Sequence, residues 1–408
     1  MSEIKPVMIL TVKAKIPLYK GEDKAEKIEL IQLEEVGFEL VSQKDLYQVG
    51  YKLVYIQPDY CVSDISLFEG FIRPGGDESK SYLGKIEGKP RRIRAKKFNF
   101  HRGDGIPVWS QGIGLPIDEV VTYCGYNHAT FNTIVLKDTD YLPNTLQITK
   151  YEAPEEKSGS GGVQGASRPF PQGMYRTDEE NINNMWNHMD KQIGYPILLI
   201  GTEKVDGSSI TLYYKDDKAG ICSRNLDKPL TITKIVGRRK PTLKEKILNW
   251  LGKDWFGYKL ELNIYDIVEN DSEFVKIGKP YLDKLVEYCK STNQNLVLRG
   301  ELNGKGLKGS GNKNNPSQSE EPNIKFFGAD IYNDTTVKLD EDSFDYIINN
   351  LGFERTKLVF AKKFNSKEEI QNDCNKYFES NMVEGIVIRT PDSNFSAKIM
   401  NLEYDSKK

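Results

Sequence analysis

A polar, glycine-rich stretch divides this chain of 408 residues into two unequal parts. Residues 155–165 read Glu-Glu-Lys-Ser-Gly-Ser-Gly-Gly-Val-Gln-Gly. They carry too few apolar side chains to pack into a core and are typical of a flexible linker. The length of the chain also favours more than one domain. We therefore predict an N-terminal domain at residues 1–153, a linker at 154–167 and a second domain at 168–408.

The composition argues against several classes of site. The five cysteines are scattered, and their odd number argues against a disulfide framework. With only three histidines, a histidine-based zinc centre or a Ser-His-Asp triad is not expected. A net charge of −2 means that any nucleic-acid contact must come from local basic patches. No apolar run could span a bilayer and the first residues do not resemble a signal peptide, so we expect a cytoplasmic protein with no membrane partner.

The first part reads as a series of short strands separated by turn residues. Runs rich in β-branched and apolar residues occupy 7–16, 29–41, 47–57, 108–121, 131–136 and 145–149. Glycine, proline and aspartate separate many of them, as in residues 74–77 and 102–105. This pattern favours a small barrel or a sandwich, and an OB-like barrel is one such solution.

A basic segment within this part is a candidate nucleic-acid contact. Residues 89–97 hold six cationic side chains besides Pro90, Ile93 and Ala95, and aromatic residues follow. Cations next to aromatic rings suit phosphate contacts combined with base stacking. The alternative is a solvated edge strand whose charges prevent further strand pairing. The candidate residues are Arg91, Arg92, Arg94, Lys96 and Lys97.

In the second part, an isolated lysine lies between two strand-like runs, 196–200 and 210–214. The intervening residues 202–209 read Thr-Glu-Lys-Val-Asp-Gly-Ser-Ser. A lysine at a strand end suits a nucleophilic amine if cations, burial or a metal lower its pKa from about 10.4. Gly207 would let the backbone approach a bulky ligand closely. The alternative is an ordinary surface turn.

Further strand-like runs carry isolated polar or aromatic residues. Glu301 ends an apolar run between glycines, where an acid can bind a ribose or a metal ion. Glu384 lies beside Gly385 in a further strand-like run. Arg224 ends another run and could bind a phosphate, or it could be a surface charge. Phe327 could stack on a base, although core packing is the commoner fate of phenylalanine. Lys398 is a second isolated lysine near the end of the chain.

Taken in order, these segments resemble the motifs of the covalent nucleotidyltransferases, the superfamily of ATP-dependent ligases and mRNA capping enzymes. The matching segments are Lys204-Val205-Asp206-Gly207, Ser223-Arg224-Asn225, Gly300-Glu301, Phe326-Phe327, Glu384-Gly385-Ile386-Val387 and Lys398. Each motif is short, but six in order across about half of the chain are a specific signal. The chain is most similar to RNA ligases that carry an OB domain before the transferase domain, the Deinococcus and Naegleria type. Residues 202–204, residues 110–116 and the order of the domains carry that closer resemblance.

The resemblance implies an α+β fold. An N-terminal OB-like β-barrel would precede a nucleotidyltransferase domain, an ATP-grasp-like ligase adenylation domain with antiparallel sheets flanked by helices. It implies an ATP-dependent RNA ligase that uses Mg²⁺ or Mn²⁺ in RNA end-sealing or repair. The partner would be RNA with 5′-phosphate and 3′-hydroxyl ends, with a nicked duplex and a DNA strand as open variants. We expect a monomer.

The resemblance also implies a role for each motif residue. Lys204 would form a lysyl–AMP bond, the AMP would move to an RNA 5′-phosphate, and a 3′-hydroxyl would then displace it. Glu301 and Glu384 would hold the metal and contact the nucleotide. The other nucleotide-binding residues would be Glu203 at the adenine edge, Asp206 and Gly207 at the strand end, Phe327 on the adenine, and Arg224 and Lys398 on the phosphates.

Two departures from the family pattern keep alternatives open. Met400 stands where the family often has a second lysine, and Asn181 where it usually has an arginine, which Arg176 could replace. One rival is an ATP-dependent DNA ligase or a GTP-using capping enzyme, and the lack of a domain after Lys398 argues against both. The other is a nucleic-acid-binding protein with a degenerate transferase domain, which the intact Lys-x-Asp-Gly motif argues against.

Overall fold

The computed structural model describes residues 5–83, 91–127, 139–151, 167–176, 178–240, 242, 262–305, 307 and 318–405. Their helices and strands form an α+β architecture in which the strand ladders are antiparallel. The predicted strand at 131–136 and nearly all of the predicted linker lie outside the described residues. Across the described ranges, no helix combines the length and the apolar character needed to cross a membrane.

Half of the described strands of the N-terminal part belong to one sheet with the order β3-β2-β1-β4-β9. Strands β5, β6 and β10 form a second, small sheet, and β7 pairs with β8. The strands are β1 (Val7–Lys20), β2 (Asp23–Leu33), β3 (Glu39–Gln43), β4 (Lys52–Ile56), β5 (Tyr60–Val62), β6 (Arg91–Arg92), β7 (Lys96–Phe98), β8 (Val108–Ser110), β9 (Ile113–Pro116) and β10 (Thr149–Lys150).

The five-stranded sheet curves until its two edges meet. The backbone N–H of Gln111, just before β9, donates to the carbonyl of Glu39 in β3 over 2.8 Å. Gly112 directly follows Gln111 and lies against the end of β4. Its φ is +92°, and a Cβ there would lie 2.6 Å from the carbonyl oxygen of Ile56. Only glycine combines this conformation with so close an approach. The motif at 110–116 therefore closes the sheet on itself.

Strand β4 shows how the two faces of this sheet are buried. Leu53 and Tyr55 point into one apolar cluster, together with Leu10 of β1. Val54 and Ile56 point into another cluster on the opposite face. Alternate side chains of a strand face opposite sides, so both sides of β4 are covered. This explains why β4 reads as a continuous apolar run and not as an alternating one.

The sequence located most of these strands but misjudged several ends. The run 7–16 corresponds to β1, and 47–57 contains β4. The run 29–41 spans the end of β2, a turn and the start of β3. The runs 108–121 and 145–149 each combine strand and helix residues. Strand propensity is a weak guide here, because side-chain packing decides how a short apolar run folds.

The second part contains two main sheets. One has seven strands in the order β11-β15-β14-β13-β18-β19-β20, and the other has the order β21-β12-β22-β23, while β16 pairs with β17. The strands are β11 (Arg168–Pro169), β12 (Ile197–Lys204), β13 (Ser208–Lys215), β14 (Lys218–Cys222), β15 (Leu226–Lys228), β16 (Thr231–Arg239), β17 (Leu262–Glu269), β18 (Leu296–Asn303), β19 (Asn323–Tyr332), β20 (Thr336–Lys338), β21 (Leu358–Phe364), β22 (Gly385–Arg389) and β23 (Ser396–Met400).

Helices cover one face of each main sheet. The α-helices are α1 (Glu69–Ile72), α2 (Ile117–Cys124), α3 (Leu142–Thr145), α4 (Ile182–His188), α5 (Glu273–Thr292), α6 (Glu341–Leu351), α7 (Lys367–Ser380) and α8 (Leu402–Asp405). Apolar residues of α5 and α6 pack on the seven-stranded sheet. Those of α4 and α7 pack on the four-stranded sheet. Lys204 of β12 and Glu301 of β18 alternate with core residues of these clusters and therefore face away from the helices.

Helix α4 also joins the second part to the N-terminal part. The backbone N–H of Gly37 donates to the carbonyl of Asn183 over 2.7 Å. The side-chain amide of Asn187 donates to the carbonyl of Glu35 over 2.7 Å. The two parts therefore meet through hydrogen bonds between a loop and an asparagine-rich helix. The domain boundaries at 153 and 168 remain a prediction.

Candidate active site

Lys204 ends β12, and the following turn carries the chain from the four-stranded sheet into β13 of the seven-stranded sheet. In the ladder between β12 and β22 it lies opposite Gly385, so Glu384 is next to it. Its Nζ donates to Oε2 of Glu384 over 2.5 Å, and the two side chains are 27% and 8% exposed. The fold thus brings the candidate nucleophile into contact with a buried carboxylate.

The charges around Lys204 correct one expectation from the sequence. Burial by itself lowers the pKa of the ammonium group, but the carboxylates of Glu384, Glu301 and Asp206 outweigh it and raise the pKa above its usual value. A nucleophilic amine needs a lowered pKa, so this arrangement holds Lys204 protonated at neutral pH. Attack by the amine therefore requires loss of a proton, for which Glu384 is the adjacent acceptor.

Glu301 lies on β18, directly opposite Ser209 of β13. Burial and the charge of Glu384 raise the pKa of its carboxyl group, while the charge of Lys204 lowers it. The resulting pKa is about 8. The side chain is thus close enough to both residues to respond to their charges. A positive charge arriving at the site would lower this pKa and favour the ionised carboxylate.

Asp206 is held by a residue that sequence reasoning missed. The Tyr404 hydroxyl donates to Oδ2 of Asp206 over 2.6 Å, and the two residues are 1% and 7% exposed. Just before α8, the backbone N–H of Asn401 donates to the carbonyl of Glu384 over 2.9 Å. The end of the chain therefore braces two of the acids around Lys204. A lone tyrosine outside any motif gives no sequence signal for this role.

The two motif glycines allow backbone segments to approach each other. A Cβ on Gly207 would lie 2.3 Å from the carbonyl oxygen of Leu302. A Cβ on Gly385 would lie 2.4 Å from the carbonyl oxygen of Ile399. The sequence suggested that Gly207 makes room for a ligand, whereas its close neighbour is the backbone of β18. Both glycines therefore set the distance between strands that carry site residues.

The carboxylate of Glu203 has two hydrogen-bond donors from the protein. Its Oε1 accepts from the hydroxyl of Tyr377 over 2.5 Å and from Nζ of Lys357 over 3.2 Å. These partners lie on α7 and just before β21. The contacts fix Glu203 near the end of β12, an internal strand of the four-stranded sheet. Its reading of an adenine edge stays a prediction.

The structure separates the two phenylalanines of the Phe326-Phe327 motif. Arg299 pairs with Gly328 and Gly300 with Phe326, so Phe327 is the extra residue of a β-bulge. Phe326 is fully buried in the core. Phe327 is partly exposed and borders a small cavity of about 30 Å³. The bulge thus leaves Phe327 as the ring that a ligand could reach.

Arg224 lies beside a carboxylate outside the sequence motifs. Its Nη2 donates to Oδ2 of Asp178 over 2.5 Å, and Nζ of Lys150 donates to the same oxygen over 3.0 Å. The backbone N–H of Lys398 donates to the carbonyl of Glu180 over 2.7 Å. Arg224 and Lys398, predicted to bind phosphates, are therefore brought to the same short segment before α4.

The two departures from the family pattern have local structural roles. Asn181 caps α4, and its side-chain oxygen accepts from the backbone N–H of Asn183 over 3.0 Å. Met400 lies opposite Gly385 in the ladder between β22 and β23. The guanidinium of Arg176 lies 5.6 Å from the ring centre of Phe170. An asparagine is a favoured N-cap, which gives a reason for its presence at 181.

Ion pairs with nearby acids offset part of the positive charge of the basic segment in the N-terminal part. Arg91 is 7% exposed and donates to Asp64 over 2.8 Å and to Glu78 over 2.7 Å. Arg92 pairs with Asp59. The guanidinium of Arg91 is therefore buried between two carboxylates, and its role in nucleic-acid binding stays a prediction.

The remaining candidates of the segment lie closer to the surface. Lys96 sits 4.2 Å from the ring centre of Tyr82, and burial lowers the pKa of its ammonium group. Lys97 is exposed and pairs with Glu403. Arg94 is partly buried. A role of these residues in nucleic-acid binding stays a prediction.

Part of the chain matches a known protein family. Residues 198–400, just under half of the chain, match the model of the family described as RNA ligase. The match covers the strands that carry Lys204, Glu301, Phe327 and Glu384 and ends just after Lys398. No curated protein matches the chain.

Solved structures with the same fold include Naegleria gruberi RNA ligase in several forms. A lysine-to-alanine mutant with ATP and Mn is 21% identical, with a TM-score of 0.68 and 99% of both chains covered. A glutamate-to-alanine mutant with AMP and Mn is 19% identical, with a TM-score of 0.69 and 99% of both chains covered. The enzyme with PPi is 20% identical, with a TM-score of 0.67 and 99% of this chain and 98% of that chain covered. The likeness shows a shared fold along almost the whole chain.

Proposed function

We propose that this protein is an ATP-dependent RNA ligase that works through a lysyl–AMP intermediate. One observation carries the proposal: Lys204 ends β12 at the junction of two sheets, hydrogen-bonded to Glu384 and within reach of the charges of Glu301 and Asp206. The family match over these strands supports the reaction class. The Naegleria enzyme that shares the fold has been seen with ATP, AMP and PPi, which supports ATP as the nucleotide.

The N-terminal part is proposed to be the OB-like barrel of this enzyme. Its five main strands have the order β3-β2-β1-β4-β9, and the contact between Gln111 and Glu39 closes that sheet. Partly open, five-stranded barrels of this kind often bind oligonucleotides. The agreement with the Naegleria structure extends over 99% of this chain, which supports the barrel-first order.

In the proposed first step, Nζ of Lys204 attacks the α-phosphorus of ATP. A nitrogen–phosphorus bond forms, the bond to the β-phosphate oxygen breaks, and pyrophosphate leaves. The proton of the amine passes to the Glu384 carboxylate, which accepts the Lys204 hydrogen bond over 2.5 Å. Because the surrounding acids raise the pKa of Lys204, this step needs positive charge near those acids.

In the proposed later steps, a 5′-phosphate oxygen of RNA attacks the α-phosphorus of the lysyl–AMP. The nitrogen–phosphorus bond breaks and Lys204 regains a proton. The 3′-hydroxyl of the other RNA end then attacks the activated 5′-phosphorus, loses its proton and expels AMP. Arg224 and Lys398 would steady the phosphates by charge-assisted hydrogen bonds.

The carboxylates of Glu301 and Glu384 fit a Mg²⁺ or Mn²⁺ ion. Hard cations prefer carboxylate oxygens, and Mg²⁺ is commonly bound through one or two carboxylates together with substrate phosphates. Among the described residues, no group of three or more His, Cys, Asp or Glu is placed to hold a metal. When bound, the ion would neutralise charge on the phosphates.

The remaining parts of the proposal concern the ligands and their surroundings. Phe327 would stack on the adenine from its bulge, and Glu203 would contact the adenine edge. Arg92, Arg94, Lys96 and Lys97 would contact RNA, with a nicked duplex and a DNA strand as open variants. We propose a monomer in the cytoplasm, a reducing compartment that suits the scattered cysteines and their odd number.

The proposal is tested by labelling the purified protein with α-labelled ATP, and separately with GTP, in Mg²⁺ or Mn²⁺. We expect label from ATP that survives denaturing electrophoresis and vanishes in Lys204→Ala. Lys218→Ala, which changes an exposed lysine of β14, should label as the wild type does. Label from GTP would support a capping enzyme instead. No label in folded, initially unadenylylated protein would overturn the ligase proposal.

A further inference from the structure

Three cationic side chains gather around one carboxylate at the boundary between the two parts of the chain. Oδ2 of Asp178 accepts from Nη2 of Arg224 over 2.5 Å and from Nζ of Lys150 over 3.0 Å. The backbone of Lys398 pairs with residues 180 and 181 of the same segment. The Asp178 carboxylate is therefore shared by two cations and acted on by the charge of a third, Lys398, while the carboxylate of neighbouring Glu179 accepts from the hydroxyl of Ser396. Cations that converge on one carboxylate oxygen can also bind a phosphate oxygen.

The charges of this cluster act on each other and on the candidate active site. Burial alone would raise the pKa of Asp178, but the charges of Lys398, Arg224 and Lys150 lower it. The positive charge of Arg224 also lowers the pKa of the Glu301 carboxyl group, so Arg224 lies near the acids that surround Lys204. The cluster is thus continuous with the site where the proposed phosphate chemistry takes place.

Lys150 is the one member of the cluster that the N-terminal part contributes. It ends β10, where it lies opposite Tyr60 of β5, while Asp178 and Arg224 belong to the second part. The side chains of Lys150, Asp178 and Arg224 are 53%, 45% and 51% exposed, so they can be reached from solvent. No sequence motif marked Lys150 or Asp178 as a ligand-binding residue.

We propose that Lys150, Arg224 and Lys398 form a phosphate-binding site beside Lys204, and that the Asp178 carboxylate competes with the phosphate for it. A phosphate oxygen accepts the same charge-assisted hydrogen bonds as a carboxylate oxygen. It brings more negative charge, which the three cations can balance. Because Asp178 is partly exposed, its side chain can turn into solvent when the phosphate binds. The proposal rests on the proposed ligase function and adds a phosphate ligand from the N-terminal part.

Two phosphate sources share this chemistry, the distal phosphates of ATP and the 5′-phosphate of RNA. The first arm measures ATP and AMP binding by calorimetry without divalent metal, so that no adenylylation takes place. The second arm measures single-turnover AMP transfer from adenylylated protein to 5′-phosphorylated RNA. Each arm compares the full-length wild type with Lys150→Ala, Lys150→Arg and Asp178→Asn. Lys80→Ala is the control, because Lys80 is an exposed lysine of the same part, paired with Asp77.

We expect Lys150→Ala and Asp178→Asn to act in opposite directions. Lys150→Ala should weaken binding about tenfold, as for the loss of one charge-assisted hydrogen bond, and Lys150→Arg should restore it. Asp178→Asn should strengthen binding, because the competing charge is gone. An effect on ATP but not on AMP identifies the distal phosphates, and an effect on AMP transfer alone identifies the RNA 5′-phosphate.

A merely structural ion pair between Lys150 and Asp178 gives a different result. Removing either partner would then shift both arms in the same direction, and the proposal would be overturned. It would also be overturned if Lys150→Ala matched Lys80→Ala in both arms. Thermal unfolding of each variant checks that the fold is intact. Failure of the ligase function would show separately, as wild-type protein that takes no label at Lys204.

Discussion

At the scale of single residues, the main feature is an amine surrounded by acids. Glu384, Glu301 and Asp206 raise the pKa of Lys204, although burial works against them. The motif spacing predicted the nucleophile, but the sign of its pKa shift depends on two acids far away in the sequence. We infer that the Lys204 amine cannot act as a nucleophile until positive charge offsets the surrounding carboxylates.

Replacing Tyr404 by phenylalanine removes the hydroxyl that donates to Asp206 over 2.6 Å. Loss of a hydrogen bond to a buried carboxylate typically costs about 1–3 kcal/mol, so the free energy of unfolding should fall by that amount. Adenylylation of Lys204 should slow as Asp206 loses its fixed position. Urea denaturation and single-turnover labelling measure the two effects. The control is Tyr346→Phe, because Tyr346 is 67% exposed, and equal stability of both variants would contradict the assigned role.

Glu301→Gln should change how stability depends on pH. The pKa of Glu301 is about 8 in the folded protein and 4.5 as the ordinary value. Between these values the folded state binds more protons than the unfolded state, so rising pH lowers the stability of the wild type. Glutamine cannot ionise and removes this loss. We expect the stability of the variant relative to the wild type to rise from about pH 5 to about pH 9.

The Glu301→Gln comparison is made by denaturant unfolding in EDTA, so that metal binding does not contribute. Asp266→Asn serves as the control, because Asp266 is an exposed carboxylate of β17. This variant should not show the pH-dependent gain expected of Glu301→Gln. A constant difference between Glu301→Gln and the wild type would mean that the carboxyl group is not protonated at neutral pH.

At the scale of elements, the site is built where strands of two sheets end. β12 ends on Lys204, β22 begins just after Glu384, and β18 carries Glu301. The sequence predicted each of these as a strand-like run with a polar residue near a glycine. It could not predict that a bulge would place Phe327 apart from Phe326, because a bulge depends on the pairing of two strands.

Gly207→Ala tests the approach between the nucleophile turn and β18. The added Cβ would lie 2.3 Å from the carbonyl oxygen of Leu302, so one of the two backbones must move. Overpacking of this kind typically costs about 1–3 kcal/mol. We expect a lower melting temperature and a loss of adenylylation, because Lys204 is only three residues away. Gly70→Ala is the control, since a Cβ there meets nothing within 4 Å, and equal behaviour of the two variants would disprove the argument.

At the scale of the whole molecule, hydrogen bonds from α4 join the two parts. The amides of Asn184 and Asn187 donate to Gln57 and to the carbonyls of Glu34 and Glu35. Polar interfaces of this kind can be weakened without damage to either core. The sequence suggested two domains from a glycine-rich linker, but it gave no sign that this helix holds them together.

The double variant Asn184→Ala, Asn187→Ala should loosen this interface. We expect its two parts to unfold in separate calorimetric transitions, while the wild type unfolds more cooperatively, because coupling between parts depends on the contacts they share. Adenylylation should persist, since Lys204 and its acids lie within the second part. Asn349→Ala, on the exposed face of α6, is the control. An unchanged calorimetric profile for the double variant would show that other contacts hold the parts together.

The sequence by itself determined which residues can do chemistry. Residue type and the ends of apolar runs are local properties, so Lys204, Glu301, Glu384 and Lys398 could be selected without a structure. The tertiary structure decided their partners. Lys204 meets Glu384 across 180 positions, and Asp206 meets Tyr404 across 198. Such contacts depend on strand register and on which faces become buried. For the same reason the basic segment, uniform in sequence, divides into a buried Arg91 and an exposed Lys97.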